Sequence, residues 1–222
     1  MRLQIVIPTL DEATALATVL PHALALADEV CVSDGGSRDG TVDLAKSAGA
    51  TVVEGPAGRG GQLNRGAAAG RGDVLLFLHA DTVLPTAAME AVRSCLAGGA
   101  VGGGFRLHYD TPSRLMRLGG RIANWRARLS GPLGDQAQFA RRDVFEAVGG
   151  FPEWPILEDL ELMRRLRRRG RVRILDEEAR TSVRRFERQG VARTVAINYL
   201  IWGLFVLGVP PRRLAGLYRV VR

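Results

Sequence analysis

Acidic and histidine side chains follow a strongly apolar run in the first half of this chain. His79 and Asp81 come directly after the run at 74–78, which turn-forming residues at 70–72 precede. An apolar run of that length indicates a strand buried on both faces of a sheet. Because ligands bind beyond the carboxyl ends of strands in open α/β sheets, His79 and Asp81 are candidates to bind a metal or a polar ligand. A buried strand followed by an ordinary polar turn would have the same local sequence.

The loop at 33–41 carries the second candidate group. It follows an apolar run at 29–32, and its glycines allow the backbone to approach a ligand closely. Asp34, at the tip of this predicted strand, can accept hydrogen bonds from a base or a ribose. Asp39 and Thr41 suit capping of the next helix equally well, and we prefer that interpretation for Asp39.

The third group is the carboxylate pair Glu158 and Asp159. It follows an aromatic, proline-containing segment at 151–155 and precedes a helix predicted at 160–169. Carboxylates at a helix N-terminus are stabilised by the helix dipole, so capping alone would explain them. The functional interpretation is a general base, because an ionised aspartate beside a bound hydroxyl can take its proton as a new bond forms. The framing of the pair by Trp154 and two prolines favours this second interpretation.

Strands and helices alternate through the first half of the chain, with Pro21 expected to kink or split the first helix. The predicted strands lie at 3–7, 29–32, 51–54, 74–78 and 105–109. This alternation is typical of an α/β fold with a doubly wound, mostly parallel sheet flanked by helices. The loop at 55–61 lacks the Walker pattern and the first strand lacks a dinucleotide fingerprint, which excludes a P-loop NTPase and an NAD enzyme.

The composition favours one compact domain in a reducing compartment. The chain has 222 residues, of which 46% are hydrophobic and 24% charged, enough for a sizeable core. Its two cysteines, Cys31 and Cys95, provide no disulfide framework. The N-terminus enters a strand at once and lacks a signal-peptide pattern, so we expect a cytoplasmic protein.

The charge balance favours an anionic partner. A net charge of +8 and a pI near 10.8 suit nucleic acid, a nucleotide or an acidic membrane surface. The arginines crowd the segment 164–188, where a solvated helix face is the alternative. The apolar run at 191–209 is shorter than the roughly 20 residues of a spanning helix. It could lie in a membrane interface or simply cover the sheet.

Six segments, in this order and spacing, resemble the family 2 glycosyltransferases, whose members share the Rossmann-like GT-A fold. The segments are Val-Ile-Pro-Thr at 6–9 with Asp-Glu at 11–12, 32–41, Asn-Arg-Gly at 64–66, 78–82, 148–151 and 157–162. The sequence looks most like the bacterial subset described as radical-SAM/selenoprotein-domain-associated transferases. In that subset, His-Ala-Asp stands where other members have Asp-x-Asp.

The resemblance implies an inverting transferase that moves a sugar from a nucleoside-diphosphate sugar to a hydroxyl of a small or lipid-linked acceptor. It implies a divalent cation, Mn²⁺ or Mg²⁺, on the diphosphate, with Asp81 and His79 as ligands. Asp159 would be the general base, with Glu158 beside it. The residues implied to bind the donor are Pro8, Thr9, Glu12, Asp34, Gly35, Arg59, Asn64, His79, Ala80 and Asp81. Those implied on the acceptor side are Asp135, Gln136 and Trp154.

The resemblance also implies an organisation of the chain. Residues 1–185 would form the GT-A domain, with a nucleotide-sugar half at 1–110 and an acceptor half at 111–185. An amphipathic helical segment at 186–222 would follow as a C-terminal appendage. We expect peripheral contact with the inner face of the membrane and no nucleic-acid partner.

Two positions depart from the family pattern, and two rival functions remain open. Asp11 stands where the family usually has Asn, and His79 stands where it has an acid. The imidazole removes one negative charge, so His79 contacts the ribose or diphosphate, or ligates a softer metal such as Mn²⁺. The first rival is a nucleic-acid-binding protein, although aromatics form only 6% of the chain and do not interleave with the arginines. The second is a nucleotidyltransferase, which generally has a glycine-rich basic loop where this chain has 9–12.

Overall fold

The structure is a computed structural model that describes residues 1–183 and 190–219. Its strands are β1 (Leu3–Thr9), β2 (Glu29–Asp34), β3 (Thr51–Glu54), β4 (Val74–Phe77), β5 (Thr82–Val83), β6 (Ala100–Tyr109), β7 (Gln138–Arg141) and β8 (Arg171–Thr181). Its helices are α1 (Ala13–Leu26), α2 (Thr41–Ser47), α3 (Arg59–Ala68), α4 (Ala88–Ala97), α5 (Arg114–Ser130), α6 (Arg142–Ala147), α7 (Glu158–Arg167), α8 (Val191–Val206) and α9 (Pro211–Arg219). A 3₁₀ turn occupies Gly134–Gln136.

The strands form one sheet in the order β3-β2-β1-β4-β7-β6-β8-β5. The first four strands of that order are parallel, and β7 runs antiparallel to both β4 and β6. β8 is parallel to β6, and β5 closes the edge in the antiparallel sense. The predicted α/β fold with a mostly parallel sheet is therefore confirmed. The sequence placed 105–109 in the same parallel series, whereas β6 joins the sheet through β7.

Both faces of the central strands are covered by helices. Along β1, Ile5 and Ile7 pack in one apolar cluster with α1 and α4, and Val6 packs in the opposite cluster with α3 and α7. β4 alternates in the same way, because successive side chains of a strand point to opposite faces. Because helices pack on both faces of β1 and β4, the carboxyl ends of these two strands have defined positions at one end of the sheet.

The first helix and the first predicted strand differ from expectation. α1 continues through Pro21, so the expected split does not occur. Pro21 cannot bond to the carbonyl of Ala17, but both residues are exposed and water can satisfy that group. The strand predicted at 3–7 extends to Thr9, with Pro8 pairing opposite Ser33.

The arginine-rich segment contains a strand that the sequence analysis did not predict. β8 pairs with β6 along its length, with Arg171 and Arg173 exposed. On α7, Arg164 and Arg165 pair with the carboxylate of Glu161. Arg164 and Arg165 therefore stabilise α7 locally. Arg184, Arg185 and Arg188, which completed the predicted cluster, lie outside the described residues, as does the predicted boundary between 185 and 186.

The C-terminal helices pack on the segment that precedes α7. Ile201 of α8 and Leu214 of α9 form a buried cluster with Ile156. The rings of Trp154 and Phe205 meet edge to face, with centroids 6.1 Å apart. In the apolar run at 191–209, Ile201 is thus buried, and partly buried side chains pack against the same cluster: Ile197, Leu204, Phe205 and Val209. Within 1–183 and 190–219, no helix is long and apolar enough to cross a membrane.

Gly66 of α3 provides a test of how closely this helix approaches β1. A Cβ at Gly66 would overlap Cγ1 of Val6 and lie 3.4 Å from Cβ of Ser33. We expect Gly66→Ala to lower the free energy of unfolding by about 1–3 kcal/mol, the usual cost of overpacking. The matched control is Gly119→Ala in α5, where nothing lies within 4 Å of the added Cβ. The control should be neutral or stabilising by about 0.5–1 kcal/mol in urea unfolding. Equal losses in both variants would contradict the close packing of α3 on β1.

Candidate active site

The carboxylate of Asp34 shapes the loop that follows β2. Its Oδ1 accepts hydrogen bonds from the hydroxyls of Thr9 (3.0 Å) and Ser37 (2.5 Å). Its Oδ2 accepts from the amides of Gly36 (2.7 Å) and Ser37 (2.8 Å). Burial alone would raise the pKa of Asp34, but these hydrogen bonds outweigh it and lower the pKa below its ordinary value. Four bonds fill the lone pairs of a carboxylate, so Asp34 is held ionised in one orientation.

A second set of bonds joins the loops after β1 and β2. The amide of Asp11 donates to the hydroxyl of Ser37 (2.9 Å), and the amide of Arg38 donates to Oδ1 of Asp11 (2.8 Å). The amide of Glu12 donates to the hydroxyl of Thr41 (3.0 Å). Asp11 adopts a positive φ of 55° to make this turn. The two loops therefore form one surface beyond the strand ends.

Asp39 belongs to the same set of bonds. Its carboxylate accepts from the amides of Ala13 (3.0 Å) and Thr41 (3.1 Å) and from the hydroxyl of Thr41. Asp39 therefore lies one residue before the N-cap of α2, which is Gly40, and its bonds tie the loop to α1 and to the first residue of α2.

Gln62 of α3 anchors this surface from below. Its Nε2 donates to the carbonyls of Thr9 (2.8 Å) and Ser33 (2.9 Å), and its Oε1 accepts from the amide of Gly58 (3.1 Å). A Cβ at Gly35 would lie 3.0 Å from this Nε2, so the close approach expected for Gly35 is to Gln62. The sequence analysis did not identify Gln62 as part of the site.

Arg59, His79 and Glu158 come together from three separate segments. Nε of Arg59 lies 3.3 Å from Oε1 of Glu158, whose side chain is 4% exposed. The guanidinium of Arg59 also contacts Nε2 of His79. Because a guanidinium has only donors, this nitrogen of His79 accepts. Gly134 leaves room for the contact, since a Cβ there would lie 2.7 Å from Nε2 of His79.

Asp159 lies beside this cluster at the start of α7. Its Oδ2 accepts from the amide of Gly134 (2.8 Å), and its Oδ1 accepts from the amide of Leu160 (2.7 Å). Leu157, with a φ of 63°, turns the chain so that the carboxylate points back toward the 3₁₀ turn. Asp159 is 8% exposed, and these two bonds hold its carboxylate in place.

Asp135 completes the acidic group. Burial raises its pKa from 3.8 to about 6; the positive charges of Arg126 and Arg59 oppose this rise, and the negative charges of Asp159 and Asp81 add to it. The hydroxyl of Tyr109 hydrogen-bonds to the carboxylate. Arg126 itself is 4% exposed, and its guanidinium donates to the hydroxyl of Ser130 at 2.9 Å. Four carboxylates (Asp81, Asp135, Glu158 and Asp159) and two arginines (Arg59 and Arg126) thus share one end of the sheet.

The carboxylate oxygens at this end of the sheet suit a hard divalent cation, if phosphate or water oxygens complete its coordination. Asp81 and Asp135 are close enough for their charges to interact, and carboxylate oxygens are the ligands that Mg²⁺ and Mn²⁺ prefer. In the part of the chain that the structure describes, no three His, Cys, Asp or Glu side chains could hold a metal. The remaining ligands would be phosphate and water oxygens. The contact of His79 with Arg59 favours the diphosphate role for His79 over the metal role.

Three of the predicted site residues make other contacts. Asn64 exchanges two hydrogen bonds with the backbone of Phe151 (2.9 and 3.0 Å), which ties α3 to the loop before α7. Gln136 is fully buried, and its amide bonds to protein groups that include the carbonyl of Phe105 (3.0 Å). Trp154 packs on α8. These contacts give the three residues supporting roles in the fold, and the donor and acceptor contacts expected of them stay predictions.

Three further residues predicted to bind the sugar donor lie in or beside elements of the fold. Pro8 pairs within the sheet, Ala80 is buried in the core, and Glu12 precedes the first residue of α1. The sequence analysis missed Tyr109 and Arg126. Arg126 looked like the other arginines of α5, and its neighbours in sequence give no sign that it alone is buried.

The fold and this site define a class. A sheet of this order, with loops fixed beyond parallel strands and carboxylates and arginines at their ends, is the GT-A arrangement of a nucleotide-dependent transferase. A family model described as "Glycosyl transferase family 2" matches residues 4–148. The chain therefore belongs to glycosyl transferase family 2, a family of enzymes.

One curated relative supports the assignment over a shorter segment. Glucosyl-3-phosphoglycerate synthase of Mycolicibacterium paratuberculosis (strain ATCC BAA-968 / K-10) is 38% identical over 96 residues. The match covers 37% of this chain and 29% of that protein. The chain thus spans less than a third of the length of this relative.

Solved structures of low identity share the fold. The mannosyltransferase PcManGT from Pyrobaculum calidifontis, in complex with GDP-Man and Mn²⁺, gives a TM-score of 0.68 at 17% identity, covering 98% of this chain and 69% of that one. Glucosyl-3-phosphoglycerate synthase from Mycobacterium tuberculosis, with Mn²⁺ and UDP-Glc, gives 0.64 at 22% identity and covers 94% and 80%. S. aureus TarS 1-349 gives 0.64 at 17% identity and covers 89% and 65%.

The pKa of Asp135 makes a prediction about stability. A carboxyl whose pKa rises from 3.8 to about 6 on folding stabilises the protein below that range, and this contribution is lost as the pH rises through it. Asn does not titrate, so Asp135→Asn should melt at a higher temperature than wild type above pH 6. The difference should close as the pH falls toward 3.8. Melting curves across this range, without metal or nucleotide, would check it against the exposed control Asp43→Asn. Parallel curves for wild type and Asp135→Asn would contradict the burial of this charge.

Proposed function

We propose that the protein transfers a sugar from a nucleoside-diphosphate sugar to a hydroxyl acceptor, with inversion at the anomeric carbon. The observation that carries the proposal is the position of Asp159. Two backbone amides hold its carboxylate beside Arg59 and Glu158, at the sheet end where the motif segments meet. A fixed carboxylate next to a basic group suits proton removal on one side and a departing anion on the other.

The donor nucleotide would lie on the surface formed by the loops after β1 and β2. Bonds within Thr9, Asp34 and Ser37 fix that surface before any ligand arrives. A site that is already ordered loses less conformational entropy on binding. PcManGT was solved with GDP-Man, and the M. tuberculosis synthase with UDP-Glc, which supports a uridine or guanosine donor for this chain.

The diphosphate would lie at the ends of β4 and α3. Arg59 and His79 meet there, and Asp81 and Asp135 would hold Mn²⁺ or Mg²⁺ against the phosphate oxygens. Such a cation neutralises the charge that develops on the leaving diphosphate. Arg59 also balances the charge of Glu158, so this residue is positioned when the donor is absent.

The transfer itself would take one displacement. The acceptor oxygen forms a bond to the anomeric carbon, the bond from that carbon to the diphosphate breaks, and the acceptor proton moves to the carboxylate of Asp159. The nucleoside diphosphate leaves with the electron pair. One displacement inverts the configuration at the carbon, and no covalent enzyme intermediate is needed.

The acceptor and the setting stay predictions. The M. tuberculosis synthase was solved with phosphoglyceric acid and with glycerol 3-phosphate, which supports a small phosphorylated acceptor. The sequence analysis also favoured a lipid-linked acceptor. Peripheral contact with the inner face of the membrane and a cytoplasmic location likewise stay predictions. Membership of the radical-SAM-associated subset and the halves 1–110 and 111–185 are likewise proposals.

A thermal-shift panel tests the proposal. UDP, GDP, dTDP and CDP are each added with and without Mn²⁺ or Mg²⁺. A ligand that binds only the folded state raises the melting temperature by mass action. We expect one nucleotide to raise it, and the rise to grow with metal. No response to any nucleotide, together with salt-sensitive binding to oligonucleotides, would instead support the nucleic-acid rival.

Asp159→Asn separates chemistry from binding. The amide cannot take a proton, so the turnover number should fall by about 10²–10⁴-fold, the usual contribution of a general base. The dissociation constant of the nucleotide should stay within about twofold, because Asp159 faces the acceptor. Glu146→Gln, an exposed substitution on α6, is the matched control. Wild-type turnover in Asp159→Asn would show that another group is the base.

Asp81→Ala separates the metal from the nucleotide. Loss of one carboxylate ligand should weaken donor binding measured with Mn²⁺ by at least about tenfold, in line with the loss of one charged ligand. Binding measured with EDTA should change little. Equal weakening under both conditions would mean that Asp81 contacts the nucleotide directly, and unchanged binding would exclude Asp81 as a ligand.

A further inference from the structure

An apolar stripe runs along the outer side of α5. Its five side chains are between 41% and 61% exposed, and they follow one another at alternating steps of three and four residues. That spacing places them on one side of a helix. The members are Leu115, Leu118, Ile122, Trp125 and Leu129. The opposite side of α5, with Met116 and Ala127, is buried.

Helix α8 and the residue that follows it carry further exposed apolar side chains. The helix packs against α5, and Leu200, Val206 and Leu207 are exposed, Leu207 at 82%. Large apolar side chains clustered on neighbouring helices are unusual on a soluble surface and mark an interaction site. We call the outer sides of α5 and α8 the α5–α8 face.

The charged residues of α5, α8 and α9 have one sign. Exposed arginines flank the stripe on α5, and others follow on α8 and in α9. They are Arg114, Arg117, Arg121 and Arg128 on α5, Arg193 on α8, and Arg212 and Arg213 on α9. Neither α5 nor the range 190–219 contains an aspartate or glutamate. A partner that complements this face therefore has an anionic surface and an apolar layer directly beneath it.

A second copy of the chain does not meet that requirement. With the stripe as the seam of a coiled coil, Arg114, Arg121 and Arg128 occupy one flanking row, seven residues apart. Pairing with another α5 would bring rows of arginine together without any carboxylate to balance them. Like charges at such positions disfavour association.

We propose that the α5–α8 face binds the surface of an anionic lipid bilayer. The apolar side chains would enter the boundary between headgroups and acyl chains, and the arginines would meet lipid phosphates. Trp125, an amphipathic ring in the middle of the stripe, suits that boundary.

The face adjoins the acceptor side of the site. Arg126 of α5 and Tyr199 of α8 both interact with the charge of Asp135. Binding through the face would therefore hold Asp135 and Asp159 near the membrane surface. The inference does not depend on the transfer reaction, because vesicle binding is measured without donor or acceptor.

Cosedimentation with vesicles tests the proposal on the full chain. The probes are vesicles of phosphatidylcholine alone and of phosphatidylcholine with phosphatidylglycerol. We expect binding to the second kind, decreasing as salt is raised. Arg121→Glu should weaken it by at least about fivefold, the effect of one basic residue near an anionic surface. Ile122→Ser should weaken it as well.

Two controls match these variants in exposure and in charge change. Arg71→Glu makes the same change in net charge in the loop before β4, and Leu10→Ser removes a side chain that, like Ile122, is 41% exposed. Both should bind vesicles more tightly than the variants of the face. Equal losses in the controls, or no binding to anionic vesicles, would overturn the proposal. A dimer in sedimentation velocity that Leu118→Arg dissociates, without vesicle binding, would instead identify a second copy as the partner.

Discussion

The ionised carboxylate of Asp34 is the interaction on which the site depends. It accepts four hydrogen bonds where β2 ends, and two of them come from the Ser37 side chain and amide. Thr9 brings the end of β1 into the same network, and Gln62 ties both strand ends to α3. The depressed pKa of Asp34 shows that the charge is stabilised by these donors in spite of its burial. The loops over the sheet are therefore joined through the protein groups that donate to one buried charge.

The rest of the site balances charges that remain partly unsatisfied. Burial of Asp135 raises its pKa to about 6; the positive charges of Arg126 and Arg59 oppose this rise without cancelling it, and the negative charges of Asp159 and Asp81 add to it. Such an arrangement costs stability in the free protein, and a ligand that brings a cation would relieve it. Buried charges with shifted pKa values are common at sites that bind charged substrates.

Local sequence predicted the parts of this structure that depend on local patterns. The apolar runs identified β1, β2 and β4, and turn chemistry placed Asp34 and Asp159 at strand and helix ends. It could not identify Gln62, whose hydrogen-bond partner Thr9 lies 53 residues away. Burial of Arg126 depends on how α5 packs over the site. β8 was hidden because its exposed arginines matched a solvated surface, although alternate residues of the strand are covered.

Calorimetric titration of Asp34→Asn tests the central claim most directly. UDP and GDP, each with Mn²⁺, are titrated into wild type, Asp34→Asn and the control Asp43→Asn, which changes an exposed carboxylate on α2. An asparagine at position 34 would place an NH₂ group, which can only donate, next to the hydrogen-bond donors of the loop. The conformation of the loop would therefore change. We predict that Asp34→Asn stays folded but binds the preferred nucleotide at least about tenfold more weakly, a loss of roughly 1.4 kcal/mol. Equal affinity in all three proteins would contradict the claim that the Asp34 network builds the nucleotide site.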